Sequence, residues 1–224
     1  MLKKFKLADT KFIKIFKTGK LPKNDPYSEF YKIIKQKHNI DIAFCDIYIG
    51  ELQSSIRMYI NSCDNDILNV ILQNRIGYHI NQNKFPLFMQ ETAEKIINEY
   101  YEFYRKERIS ETILYAYIFK DSIISAAYGH SVAEIKKKLL KKYKEYSLKI
   151  CIPYEPRFVV MFQFPSKYEL AKTNGIFEEI KSNSFKILKK YDKFNFITLK
   201  NFNIDILNEK DVSQAELSCY AREW

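Results

Sequence analysis

Hydrophobic residues change their spacing several times along the chain, and each spacing predicts a different element. Near the N-terminus they recur at helical spacing among lysines, which predicts a short basic amphipathic helix, and Pro26 opens a second helix. From Ile40 the period becomes two, which predicts a strand over residues 40–50 with a hairpin partner over residues 55–60. Asp64 then caps a short helix. The first third of the chain is therefore expected to combine helices with a pair of strands.

The middle of the chain shows helical spacing for longer. An apolar stripe predicts a helix over residues 86–104, and Ser110 caps a second helix that stops at Gly129. Ser131 and Glu134 form a capping box that opens a third helix. Three consecutive helices with short links predict an antiparallel helical bundle.

Beyond residue 147 short apolar runs separated by Pro153 and Pro156 predict two strands. A helix is expected over residues 175–188, a strand over residues 194–199, and a terminal helix from Asp211. No internal repeat is visible in the sequence.

The predicted class is α+β and mainly helical, with a central antiparallel helical bundle and short antiparallel strands before and after it. We expect one domain over residues 1–224, built from an α/β part (1–84), the helical bundle (85–147) and a C-terminal α+β part (148–224).

The composition fits a folded chain with a basic charge. Of 224 residues 46% are hydrophobic, which excludes a disordered or collagen-like chain, and charges recur too often for a membrane-spanning segment. The net charge of +10 is concentrated in two segments: residues 1–23 hold eight Lys and one acidic residue, and residues 131–149 hold seven Lys and two. The rest of the chain is nearly neutral.

One cluster of candidate catalytic residues lies within the first predicted strand and directly after it. Asp41 or Asp46, followed by Glu51 and Gln53, resembles the arrangement in metal-dependent nucleases of the PD-(D/E)-x-K type, where carboxylates hold Mg²⁺ and the lysine orients water. Gln53 stands where these nucleases have the lysine. The alternative, which the residues favour, is a hairpin with ordinary turn acids around Gly50.

No other pattern indicates catalysis or a cofactor. The chain has five Gly and lacks a glycine-rich phosphate loop, and its four Cys are too far apart for a typical zinc site. We therefore expect no cofactor and no metal, and lean towards a protein that is not an enzyme. Reduced thiols and the absence of a signal-peptide pattern predict a cytoplasmic protein.

The lysines of the third predicted helix are the candidates for binding a polyanion or another partner. They are expected to line its exposed face and could contact phosphates without reading a base sequence. The alternative is a solvated helix face. The six lysines are Lys136, Lys137, Lys138, Lys141, Lys142 and Lys144.

A resemblance to a known class involves residues 123–146. A helix ending in small residues, then Tyr128-Gly129 and Ser131, then a capped helix, resembles the core helices of bacterial immunity proteins that neutralise polymorphic toxins. The resemblance implies a non-enzymatic inhibitor that blocks a protein partner by surface contact, and it assigns no functional residue.

Three functions are therefore expected in this order. The first is a non-catalytic protein-binding module, such as an immunity protein or a phage-type inhibitor, whose partner is a protein such as a toxin. The second is a nucleic-acid-binding protein or a small metal-dependent nuclease that uses the Lys-rich helix face. The third is a structural subunit of a larger assembly, in which the abundant aromatic residues would anchor interfaces.

Overall fold

The structure is a computed structural model in which the chain divides into two compact units, Met1–Ser122 and Ile123–Trp224. Its class is α+β, with two small mixed sheets. The predicted boundary at residue 84 lies outside the described residues, and residue 147 lies inside the second unit. The structure describes residues 10–49, 54–63, 87–107, 112–151 and 156–213.

The first unit contains three helices and the three strands of the first sheet within its described part. These elements are α1 (Thr10–Thr18), α2 (Ser28–His38), β1 (Asp41–Ile49), β2 (Ser54–Ser62), α3 (Leu87–Phe103) and β3 (Thr112–Ile118).

A fourth helix begins directly after β3 and continues into the second unit, where the remaining elements follow. They are α4 (Phe119–Lys142), β4 (Leu148–Cys151), β5 (Phe158–Phe162), α5 (Pro165–Thr173), α6 (Ile176–Tyr191) and β6 (Ile204–Asn208), with short 3₁₀ turns at Lys144–Tyr146 and Glu209–Asp211.

Both units have the same strand topology, although the sequence shows no repeat. In the first sheet β1 pairs antiparallel with β2, and β2 pairs parallel with β3. In the second sheet β4 pairs antiparallel with β5, and β5 pairs parallel with β6. Adjacent parallel strands need a crossover connection, which includes α3 in the first unit and α5 and α6 in the second. The expected strand pair β1–β2 is confirmed, but the third strand of each sheet is parallel rather than antiparallel to its neighbour.

The core of the first unit lies on one face of its sheet. Successive residues of a strand point to opposite faces, so Ile56, Met58 and Ile60 of β2 all point to the same side. There they pack with apolar residues of α2 and α3, including Phe30, Ile34, Ile96, Ile97 and Tyr100.

The second unit buries its central strand completely. All five residues of β5 are buried, so both faces of that strand are covered. From α4, the ring of Tyr128 lies 4.6 Å from the ring of Phe158. The amide of Asn203 donates to the Tyr128 hydroxyl over 2.8 Å, which ties the segment before β6 to the helix.

The predicted helix over residues 110–129 is wrong for residues 112–118, which form β3. This run is Thr-Ile-Leu-Tyr-Ala-Tyr-Ile, so its apolar residues fit a helical and an extended period equally well. Pairing with β2 decides between the two, since β-branched and aromatic residues pack well on a sheet. The expected antiparallel three-helix bundle is therefore interrupted by a strand.

The predicted link at Gly129 is also wrong, because α4 runs through it without a break. Ser131 does not cap a new helix: its hydroxyl donates to the carbonyl oxygen of Tyr128 over 3.0 Å within the same helix. Tyr128, Ile135 and Leu139 are all fully buried, so one apolar stripe continues past the glycine. That burial outweighs the helical penalty of glycine, which is about 1 kcal/mol.

The expected helix over residues 175–188 is confirmed as α6, whereas the strand expected over residues 194–199 is not formed. That segment is a loop held by the buried carboxylate of Asp192, which accepts the amides of Phe196 and Ile197 over 2.9 and 2.8 Å. The last strand lies further along, at β6. The helix expected after Asp64 falls outside the described ranges, and the helix expected from Asp211 does so beyond residue 213.

Among the described residues no helix has both the length and the apolar character that crossing a bilayer requires.

The interior position of Gly129 predicts a stabilising substitution. A Cβ at Gly129 would meet nothing within 4 Å, so Gly129→Ala should raise the free energy of unfolding by about 0.5–1 kcal/mol, measured by urea denaturation. The matched control is Gly175→Ala, which should destabilise the protein because Gly175 has a φ of +71°. Destabilisation by Gly129→Ala would instead indicate the left-handed helix end expected from the sequence.

Candidate functional site

The first sheet has a second face, opposite the one that packs against α2 and α3. Strand register places Phe44, Tyr59 and Tyr117 in one row across the three strands of this face. Asp46, Arg57 and Tyr115 form the adjacent row. We call the side chains of these two rows, together with Tyr48 on β1, the outer face.

Helix α1 covers one end of the outer face. The ring of Phe12 stacks 5.1 Å from the ring of Tyr59, and Ile15 and Phe16 are buried. The amide of Phe12, in the first turn of α1, donates to the Asp46 carboxylate over 3.3 Å. Asp46 thus accepts one of the amides that a helix leaves unpaired at its N-terminus, where a negative charge is favourable.

A half-buried polar network anchors α1 to the sheet. The ammonium of Lys11 donates to the Asp25 carboxylate and to the carbonyl oxygen of Cys45, both over 2.7 Å. The hydroxyl of Tyr31 donates to Asp25 over 2.9 Å and accepts the Cys45 amide over 2.8 Å. The Asp25 side chain is 8% exposed. Burial raises the pKa of Tyr31 and that of the Cys45 thiol, so both groups stay protonated around neutral pH.

The rings of the outer face form a continuous series that runs from the buried end to solvent. Phe44 and Tyr59 are 4.3 Å apart with planes 12° from parallel, and Tyr59 and Tyr117 are 5.4 Å apart. Tyr117 and Tyr115 follow at 6.4 Å. Phe44 is fully buried, whereas Tyr117 is 38% and Tyr48 is 52% exposed.

Positive charge lies at both ends of this series. The guanidinium of Arg57 lies 5.6 Å from the centre of the Tyr115 ring, within the range of a cation–π contact. On α1, Lys14 and Lys17 are exposed, and Lys20 and Lys23 follow before α2. Unlike Lys11, these four lysines form no ion pair with any residue in the described ranges.

The nuclease-like residues of the sequence are only partly described. Asp41 forms an ion pair with Lys35 at 3.1 Å and accepts the side-chain amide of Asn61. Asp46 lies five residues further along the same strand, about 16 Å away at the usual rise, so the two carboxylates cannot hold one ion together. Glu51 and Gln53 fall outside the described residues. Among the residues described, no three His, Cys, Asp or Glu side chains are grouped closely enough to hold a metal ion.

The lysine cluster of the sequence lies at the C-terminal end of α4 and in the following turn, in the second unit. Lys142 is exposed but pairs with Glu179 at 2.6 Å, and Lys136 is half-buried. The other four are exposed and form no ion pair with a described residue: Lys137, Lys138, Lys141 and Lys144.

The outer face was not expected from the sequence, because Tyr117 falls within the helix predicted from Ser110 to Gly129. The signal that could have found it is the alternation of Tyr115 and Tyr117, which puts both rings on one side if the segment is extended. Arg57 carries no such signal, since only strand pairing brings it beside Tyr115.

No family model matches the chain, and neither the curated proteins nor the solved structures include a match. The outer face and the lysines are therefore interpreted from their own chemistry.

The network around Asp25 predicts a marked loss of stability when its charge is removed. Asp25→Asn should lower the free energy of unfolding by about 1–3 kcal/mol, because it leaves the half-buried Lys11 ammonium without its counter-charge. The control is Glu29→Gln in the exposed pair with Lys32, which should cost at most about 0.5 kcal/mol. Urea denaturation followed by circular dichroism measures both, and equal losses would contradict the role given to Asp25.

The buried and half-buried tyrosines of the first unit predict a loss of stability in alkali. Burial raises the pKa of Tyr104 from 10.0 to about 12 and also raises the pKa of Tyr31 and Tyr100. Between pH about 10 and about 12 an unfolded tyrosine has lost its proton while the folded one keeps it, so unfolding releases protons. The contribution is fully present below pH about 10 and falls as pH rises.

The urea midpoint should therefore be constant up to pH about 9 and fall by pH about 11. Tyr104→Phe removes one of the titrating groups and should reduce this fall. A midpoint that stays constant through pH about 11 would contradict the expectation.

Proposed function

We propose that this chain is a non-catalytic protein that binds nucleic acid through its phosphates. One observation carries the proposal: each unit presents exposed lysines that form no ion pair with a described residue. Among them are Lys14, Lys17, Lys20 and Lys23 in the first unit, and Lys137, Lys138, Lys141 and Lys144 in the second.

Several other lysines of the second unit form ion pairs with acidic side chains. In the second unit Lys142 pairs with Glu179 and Lys149 with Glu209, both at 2.6 Å, and Lys189 pairs with the buried Asp192. The charge of these lysines is compensated within the unit. The eight lysines named above lie in the two segments that hold the excess charge of the chain, so their charge is available to an external polyanion.

Binding of phosphates by lysine is independent of base sequence and depends strongly on salt concentration. A lysine offers a compact charge rather than the two-pronged donor set of arginine, so it attracts phosphate without reading bases. Each contact releases counterions from the nucleic acid, so affinity falls steeply as salt rises.

A second candidate function is the neutralisation of a protein partner by surface contact, as in an immunity protein. The observation that favours it is the exposure of Tyr48 and Tyr117 on a sheet face, because tyrosine is enriched at the centres of protein interfaces. A toxin gene directly beside the gene for this chain, and a complex of the two proteins that survives gel filtration, would support it. The net charge of +10 favours nucleic acid instead, since a toxin that attacks nucleic acid is itself usually basic.

The proposal predicts binding that depends on particular lysines. The logarithm of affinity for an oligonucleotide should fall linearly with the logarithm of salt concentration between about 50 and 200 mM. The triple variant Lys137→Gln, Lys141→Gln and Lys144→Gln should reduce that slope by about 2, because each phosphate contact contributes about 0.7–0.9. Fluorescence anisotropy of a labelled strand measures it.

The matched control changes the net charge equally at lysines that are already paired: Lys142→Gln, Lys149→Gln and Lys181→Gln. This triple variant should reduce the slope less. Absence of binding at low salt, or equal effects of the two triple variants, would contradict the proposal.

A further inference from the structure

We infer that the outer face of the first sheet binds the bases of a single-stranded nucleic acid, so that the protein prefers single strands to duplexes. The inference rests on the proposed function and adds the class of substrate and the surface that selects it.

The outer face is only partly covered by other residues of the first unit. Helix α1 and Phe119 cover the end at Phe44 and Tyr59. The row continues to Tyr117, which is 38% exposed, and Tyr48 is 52% exposed on β1.

The tyrosine rings of the outer face lie next to one another in a regular arrangement. Tyr59, Tyr117 and Tyr115 are nearly parallel, with planes 27° and 8° apart and centres separated by 5.4 and 6.4 Å. Nucleobases stack on aromatic side chains regardless of sequence, since every base has a π-face. Tyr59 is buried, so the rings open to an unpaired base are those of Tyr117, which is 38% exposed, and of the half-buried Tyr115, its neighbour on the same face of β3.

Positively charged side chains lie within the outer face and on the helix beside it. Arg57 lies against the Tyr115 ring within the outer face, and α1, whose Phe12 stacks on Tyr59, presents Lys14 and Lys17 on its exposed side. The acidic group of this face, Asp46, accepts the Phe12 amide at the N-terminus of α1. The face thus combines aromatic rings with cations at its border, which suits a ligand that carries both rings and phosphates.

A single strand offers this face both unpaired bases and phosphates, whereas a duplex offers it only phosphates. In a duplex the bases are stacked inside the helix and cannot reach the tyrosines, so only the phosphates remain available. A peptide partner would use the rings but would leave the exposed lysines uncompensated unless it were strongly acidic.

The test compares three labelled probes with the full chain at one low salt concentration. They are an oligothymidylate of about 20 nucleotides, a duplex of equal length, and an abasic strand of equal length that keeps the phosphates but lacks bases. We expect the oligothymidylate to bind at least about 10-fold more tightly than either of the other probes.

Substitutions at Tyr117 then identify the surface. Tyr117→Leu should weaken oligothymidylate binding by about 5- to 150-fold, because stacking of one base is worth about 1–3 kcal/mol, and should leave abasic-strand binding unchanged. Tyr117→Phe should retain most of the affinity, since it keeps the ring. Phe164→Leu is the matched control, because it removes a ring that is 53% exposed in the second unit.

Thermal unfolding of each variant separates a loss of binding from a loss of fold. If Tyr117→Leu is destabilised, Tyr48→Leu on β1 serves as the second variant, because the side chain of Tyr48 is more exposed. Either variant must be folded at the assay temperature for its affinity to count.

The outcomes distinguish this inference from the proposed function. All three probes could bind equally while the triple variant of Lys137, Lys141 and Lys144 still reduces the salt dependence. That result would overturn the inference and leave the proposed function standing. Absence of binding to every probe at low salt would overturn both. A protein partner whose binding is lost in Tyr117→Leu, without any binding of oligonucleotides, would assign the outer face to a protein and would likewise overturn the inference.

Discussion

The parallel pairing of the second and third strands is the contact on which each unit depends. Parallel neighbours cannot be joined by a tight turn, so this pairing requires a crossover with a helix and leaves that helix to cover the sheet. In the first unit the register runs from Ser54↔Thr112 to Ile60↔Ile118. A shift of one residue would turn Tyr115 and Tyr117 into the core and Leu114 to solvent, so the same pairing that builds the core also forms the outer face.

The two sheets share this topology but differ in how completely they are covered. Strand β5 is buried throughout, whereas β2 alternates between the core and the outer face, where Arg57 is half-buried. The open part of the first sheet lies beyond the end that α1 covers. Helix α1 has two functions here: its apolar side closes one end of the outer face, and its exposed side brings lysines to the border of that face.

The two proposed modes of contact are physically complementary. Lysines that pair with no described residue attract phosphates over distances set by the ionic strength, and they discriminate little between ligands. Stacked rings act only on contact and require that bases be unpaired. A surface that combines both would gain affinity from the first and selectivity for single strands from the second. Neither mode needs a metal ion or a nucleophile.

Local signals in the sequence determined much of this protein: the helices α1, α2 and α6, the strand pair β1–β2, and the two segments that hold its positive charge. These signals are reliable because amphipathic spacing and prolines act within a few residues. The sequence alone did not determine the state of residues 112–118, which suit a helix and a strand alike, or the helix that continues through Gly129. Pairing with β2 and burial of one apolar stripe decided them, since both depend on residues far away in the chain. The outer face was decided in the same way, because it is assembled from three strands and exists only once they pair.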